Sequence, residues 1–175
     1  MKITLQRLWE ELDRVKSLGL TGIKLHPDFQ EFFLDDYLAL PMYRAIRDRE
    51  LCLLVHVGDK NRPYSAPFRM ANVVRQVPGL RLIAAHFGGY TVWQEALNAY
   101  EPGTVHFDIS SSLRFMDKEL IFRFFDRYGI ESFFWGTDFP MWDHAKELKV
   151  FFDLGLSEEQ NRKILYDNFA AFYGH

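Results

Sequence analysis

The chain has 175 residues, 48% of them hydrophobic, and a net charge of −3. That length and apolar content suit one domain, spanning residues 1–175, with a sizeable core. With no block of like charge, neither nucleic acid nor an anionic membrane is supported as a partner. The single cysteine, Cys52, excludes an intrachain disulfide, and its place in an apolar run suggests a buried thiol in a reducing compartment. Met1 to Arg7 hold no apolar stretch long enough for a signal peptide or membrane span, so the expectation is a cytoplasmic protein.

In chain order, Leu5, Leu8, Trp9, Leu12, Val15 and Leu18 recur at helical spacing, with Thr4 placed to cap and Gly19 to end the helix. A strand follows at Gly22 to His26, stopped by Pro27. A loop runs from Asp28 to Leu40, and a helix opens at Pro41 and covers Met42 to Arg49. The second strand is Leu51 to Val57, and after a charged loop a helix covers Ser65 to Val77. The third strand is Arg81 to His86, followed by Gly88-Gly89 and a helix over Val92 to Tyr100. The fourth is Val105 to Ser110, with a Ser-rich turn and a helix from Asp117 to Tyr128. The fifth is Phe133 to Asp138, then a helix from Asp143 to Asp153. Ser157-Glu158-Glu159-Gln160 reads as a capping box opening the last helix.

Strands starting every ~24 to 30 residues suit right-handed βα units and an α/β fold. Five units fit this length, whereas a complete (β/α)₈ barrel takes about 250 residues. The chain is therefore either a five-stranded open sheet or the carboxyl-terminal part of a barrel.

Strands buried on both faces leave their carboxyl ends for polar chemistry. The apolar runs stop on His56, His86 and Asp138, each just before a turn. Counting back from each strand end, one face presents Lys24 and His26; Cys52, Leu54 and His56; Leu82, Ala84 and His86; His106, Asp108 and Ser110; and Phe134, Gly136 and Asp138. The alternate residues, such as Leu53, Val55, Ile83, Ala85, Phe107 and Ile109, are apolar and suit a helix layer. Polar residues thus sort onto a single face.

Neutral imidazole and carboxylate suit a divalent ion, zinc first, with manganese or iron as alternatives. His56 and Asp138 are the metal candidates. His86 could be a ligand, a proton-transfer group or a substrate clamp. A histidine satisfied by a core neighbour, a turn cap at Asp138 and a structural bond from His86 into Gly88-Gly89 are the competing structural roles. His26, before a proline, could act at the site or only orient the turn. Lys24, expected to be buried on the inner face, needs an anionic partner, with Asp108 and Asp138 the nearest by layer. Asp108 with Ser110 reads more as a hydrogen-bonding pair than a catalytic dyad. His106, His144 and His175 receive no role. The 17 phenylalanines are assigned to core packing rather than ligand stacking.

The runs Gly-Ile-Lys-Leu-His-Pro (22–27), Val-His-Val-Gly (55–58), Ala-His-Phe-Gly-Gly (85–89), Phe-Asp-Ile-Ser-Ser (107–111) and Phe-Trp-Gly-Thr-Asp-Phe-Pro (134–140), with Asn168-Phe169-Ala170, resemble the amidohydrolase superfamily. The match is to its amidohydrolase-2 branch, which includes aminocarboxymuconate semialdehyde decarboxylase and the resorcylate decarboxylases. The resemblance implies strands four to eight of a (β/α)₈ TIM barrel. It further implies a metal-dependent hydrolase or decarboxylase acting on a small organic substrate. It maps His56 to the fifth-strand metal ligand, His86 to the sixth-strand histidine of catalysis or coordination, and Asp138 to the eighth-strand aspartate, which binds metal and activates water or substrate. The family's first strand carries a His-x-His or Glu-x-His pair, and this sequence has neither. The alternative expectation is a non-catalytic remnant, or a subunit completed by another chain. Open outer strands and an uncovered Phe134 predict a homo-oligomer.

Overall fold

The structure is a computed structural model that describes residues 5–174. Its strands are β1 (Gly22–Leu25), β2 (Cys52–His56), β3 (Arg81–Ala85), β4 (His106–Asp108) and β5 (Phe133–Phe134). All pair in parallel, in chain order, as one five-stranded sheet. Helix α1 (Leu5–Ser17) precedes β1, and α2 (Pro27–Gln30) and α3 (Leu40–Asp48) lead to β2. Then α4 (Pro67–Gln76), α5 (Trp93–Ala99) and α6 (Lys118–Tyr128) connect the remaining strands. After β5 come α7 (His144–Phe152), α8 (Glu158–Arg162), a π-helical turn and α9 (Asn168–Tyr173). The expected α/β fold of about five βα units is therefore what the chain adopts. Thr4, the expected cap of α1, and His175 lie outside the described residues.

Leu12 and Val15 of α1 are buried, whereas Trp9 and Leu18, expected on the same apolar face, are exposed. The Ser157 capping box is present, with Ser157 Oγ accepting from the Gln160 amide at 3.2 Å and Gln160 Oε1 from the Ser157 amide at 2.9 Å. The segment expected to be a loop from Asp28 contains α2, a single turn with Pro27 at its start. Four residues are too few to show helical periodicity.

The helix-side core joins Leu53, Val55, Leu82, Ala84, Phe107 and Phe133 to the inner surfaces of the helices. The other face carries Cys52, Leu54, Ile83 and Phe134. In β3 this reverses the expected parity: Ile83 faces inward, and Leu82 and Ala84 face the helices. The count began at His86, but β3 ends at Ala85 and His86 sits at φ 60°, outside the strand. At His86 the left-handed backbone breaks the alternation, so counting back through it puts the β3 side chains on the wrong face.

Phe134 is not left uncovered. Phe172 and Phe169 pack on it at ring separations of 5.3 and 5.7 Å, and Tyr173 joins the same cluster with Cys52. The carboxyl-terminal segment thus folds back over the amino-terminal end of the inner face. Asn168 fastens it by donating from Nδ2 to the carbonyls of Ile130 (2.8 Å) and Phe133 (2.9 Å). Cys52 is buried as expected, and burial pushes its thiol pKa up. Lys24 faces inward but is exposed, not buried, because the inner face is open beside it.

Candidate functional site

The strand ends open into a cavity of about 670 Å³ lined by Lys24, His26, His56, His86 and Asp138, together with Phe29, Tyr90, Ser111 and Phe139 to Trp142. Five of the six site residues expected from the sequence therefore share one space. Asp108 lies behind it, lining a smaller adjoining hollow with Ile83, Ser110 and Phe134.

Two turns build the centre. After β2, Gly58 has φ 88°, and its Nα donates to Ser65 O at 2.8 Å. After β3, His86 and Phe87 both adopt left-handed backbone and Gly88 follows at φ 65°. The turns touch: Tyr90 N donates to Val57 O at 2.7 Å, and a Cβ on Gly58 would lie 2.6 Å from Gly89 C and Tyr90 N. No side chain fits there.

This contact sets the histidines side by side, with the His56 and His86 rings edge-on at 4.8 Å. His56 Nε2 lies 2.9 Å from Gly58 O, an arrangement in which Nε2–H donates and Nδ1 keeps its lone pair. Burial, then the neighbouring His86, His26 and Lys24, push its pKa down to about 3, so His56 is neutral near pH 7. His86 is 3% exposed. Its Nδ1 lies 3.1 Å from Ser110 O and 3.0 Å from Ser110 Oγ. Because Ser110 Oγ itself donates to Asp108 Oδ1 at 2.5 Å, Nδ1–H is the donor, and in the neutral ring Nε2 carries the lone pair. Asp108 Oδ1 also accepts from the amides of His86 (3.2 Å) and Ser110 (2.9 Å). The expected hydrogen-bonding pair is thus observed, and it holds the turn that carries His86.

Asp138, at φ 59°, is exposed to the cavity. Its Oδ2 accepts from Ser111 Oγ at 2.9 Å, and Ser111 Oγ accepts from Trp142 Nε1 at 2.9 Å. That chain fixes one carboxylate oxygen and leaves the other for a ligand. Desolvation lowers the Lys24 pKa against the attraction of Asp108 and Asp138, an effect screened by the exposure of its side chain.

His26 stacks flat on His56 at 3.9 Å and on Phe29 at 3.8 Å. Burial and the Lys24 charge lower its pKa. Asp28 is fully buried, and its Oδ2 accepts from Ser65 Oγ. Ligand atoms of His26, Asp28 and His56 lie within 4.8 Å of one another, the one such group of three among the described residues. His26 Nδ1 and Asp28 Oδ1 are buried with no hydrogen-bond partner. Unpaired buried donor and acceptor atoms of this chemistry fit a divalent ion. Sequence reasoning missed Asp28, Tyr90, Ser111 and the aromatic wall of Phe29, Phe139 and Trp142. Asp28 two residues after His26 was the available signal for the first. The aromatic wall departs from the expectation that core packing explains the aromatics better than ligand stacking, since Phe29 and Phe139 are 76% and 66% exposed.

No curated protein matches the sequence. Solved structures do, and each shares the fold. An uncharacterised TIM-barrel protein from Bordetella bronchiseptica aligns over 99% of this chain and 64% of its own, at 18% identity and a TM-score of 0.84. 5-Carboxyvanillate decarboxylase from Sphingomonas paucimobilis aligns over 98% and 65%, at 14% identity and 0.75. A dihydroxybenzoic acid decarboxylase from Polaromonas sp., with bound manganese and 2-nitroresorcinol, aligns over 97% and 66%, at 14% identity and 0.74. The chain thus spans about two thirds of the length of these barrels. Among the described residues no helix is long and apolar enough to cross a membrane. Residues 8–175 match the sequence profile of an amidohydrolase family, and the chain belongs to that family.

Proposed function

We propose that the chain carries the carboxyl-terminal part of a metal-dependent hydrolase or decarboxylase site for a small organic substrate. The observation that carries this reading is the convergence of His56, His86, Asp138 and Lys24, from four strand ends, on one cavity. Zinc, manganese or iron suits the donors, and manganese in the Polaromonas decarboxylase adds support. His56 and Asp138 would hold the ion, which would supply Lewis acidity toward a carbonyl or carboxylate.

The remaining steps belong to the protein. In its neutral form His86, backed at Nδ1 by Ser110 and Asp108, presents Nε2 to accept a proton from water or return one to a leaving carbon or nitrogen. Asp138, turned by Ser111, orients the attacking water or substrate hydroxyl. Lys24 offers a cation for an anionic substrate group. Phe29, Tyr90 and Phe139 exclude water from a flat substrate. The test is manganese-loaded protein assayed for carbon dioxide release from dihydroxybenzoates and for hydrolysis of small lactones and amides. Turnover lost in His86→Asn and Asp138→Asn, with the fold retained, supports the reading; turnover indifferent to both overturns it.

The open sheet favours a second reading. β1 and β5 each pair on one side only among the described residues, and the sequence contains no His-x-His pair. The chain would then be a non-catalytic remnant, or a subunit completed by another chain, most simply a second copy. Metal binding without turnover, together with a stable dimer in sedimentation at low micromolar concentration, supports that reading over the first.

A further inference from the structure

We infer that the ion held through His56 takes further donors from His26 and Asp28, giving this chain a three-donor centre between β1 and β2. The inference rests on the metal-dependent reading and gives the ion at His56 two ligands other than Asp138, namely His26 and Asp28, both outside the strand ends of β2, β3 and β5. Three observations meet there. The ligand atoms of His26, Asp28 and His56 already lie within 4.8 Å of one another. Asp28 is fully buried, yet its Oδ1 has no partner, and burying such an oxygen is costly unless a donor or a cation meets it. His26 Nδ1 is also buried and unpartnered.

The surrounding bonds aim Asp28 rather than satisfy it. Ser65 Oγ donates to Oδ2, while accepting from Gly58 N at 3.1 Å, so the same serine ties the carboxyl to the turn after His56. Arg62 Nη1 donates to the Asp28 carbonyl at 2.7 Å and leaves the carboxyl alone. Two nitrogens and one oxygen make a donor set suited to zinc, with open positions left for water or substrate.

Donors about 2.1 Å from a tetrahedral ion sit about 3.4 Å apart, so binding draws the three atoms together. It must also turn the His26 ring, because in rings stacked at 3.9 Å and 10° the in-plane lone pairs lie in two nearly parallel planes and do not meet at one point. The turn breaks the stack on Phe29, which is exposed and free to follow.

The test is zinc titration of the metal-free chain by calorimetry, with ¹⁵N-histidine NMR read in parallel. Zinc should shift the ring nitrogens of His26 and His56. Asp28→Asn, nearly isosteric, and His26→Gln should each weaken zinc binding by tenfold or more. His26→Gln is a half-buried site, so it keeps the test decisive if the buried Asp28 variant fails to fold. Unchanged zinc affinity in the folded variants, with unmoved His26 resonances, overturns the inference. If Asp138→Asn and His56→Gln abolish binding in that case, the proposed function still stands. Absence of zinc and manganese binding by the unaltered chain removes both.

Discussion

Gly58→Ala is the most discriminating single change. Gly58 has φ 88°, a region that costs an L-residue about 1–2 kcal/mol. An added Cβ would also meet Gly89 C and Tyr90 N at 2.6 Å and Gly89 Cα at 2.8 Å, all backbone atoms that cannot rotate away. Forced backbone shifts of this kind add about 1–3 kcal/mol, so the total loss is about 2–5 kcal/mol. Gly103→Ala isolates the first contribution, since Gly103 has φ 78° and nothing within 4 Å of its Cβ position. Urea denaturation, with a slope of about 1–3 kcal/mol per molar, should lower the Gly58→Ala midpoint by on the order of 1–2 M and the Gly103→Ala midpoint by about half of that. Because Gly58 O receives His56 Nε2, the His56 resonances should move only in the first variant. Equal losses in the two variants would refute the argument that the two site turns are locked against each other.

Acid should destabilise the chain through His56. Its folded pKa, about 3, lies below the unfolded value of 6.5, so the unfolded chain binds the proton first as pH falls. Stability is complete above about pH 7 and is lost between about pH 6.5 and 3, by about 1–2 kcal/mol at pH 5. His56→Gln should flatten that slope by up to one proton in urea titrations at pH 7 and 5, and an unchanged slope would assign the titration elsewhere. Glu147 is 2% exposed and paired with Arg114. Arg114→Ala should cost about 3 kcal/mol by stranding the carboxyl, and adding Glu147→Gln should recover most of it, measured by the same denaturation.

The sheet was legible because its strands are mostly apolar and are separated by Gly, Pro and Ser turns. Apolar runs such as Leu51 to Val55 therefore stand out without any alternation. Legibility stopped where local backbone departs from regular structure. His86 looks like the last residue of a strand, yet its left-handed φ of 60° reversed the parity of β3. In α2, the four residues that place Asp28 and Phe29 are too few for a periodic signal. The cover over Phe134 by Phe169 and Phe172 is a contact across about 35 residues, which no local pattern announces.

The same departures explain why the residue types of the site, and the Asp108–Ser110 pair, were readable but the rest of its support was not. Three non-glycine residues with left-handed backbone line the cavity, His86, Ser111 and Asp138, and Phe87 and Thr91 lie in the turn after β3. Each costs of order 1–3 kcal/mol and persists only where neighbours hold it. For His86 the hold is Asp108, whose one oxygen accepts from its amide and from both donors of Ser110. For Asp138 it is the Met141 amide on its carbonyl at 2.9 Å and the Ser111–Trp142 chain on its carboxylate. Asp108 and Ser110 therefore hold His86 both at its backbone amide and at its ring Nδ1, a supporting place that a sequence scan for catalytic pairs ranks low. A ligand residue at a strand end can be read from its type, because few other residues would stop an apolar run there. The turn that aims it depends on oxygens and amides far apart in sequence, and only the folded chain brings those together.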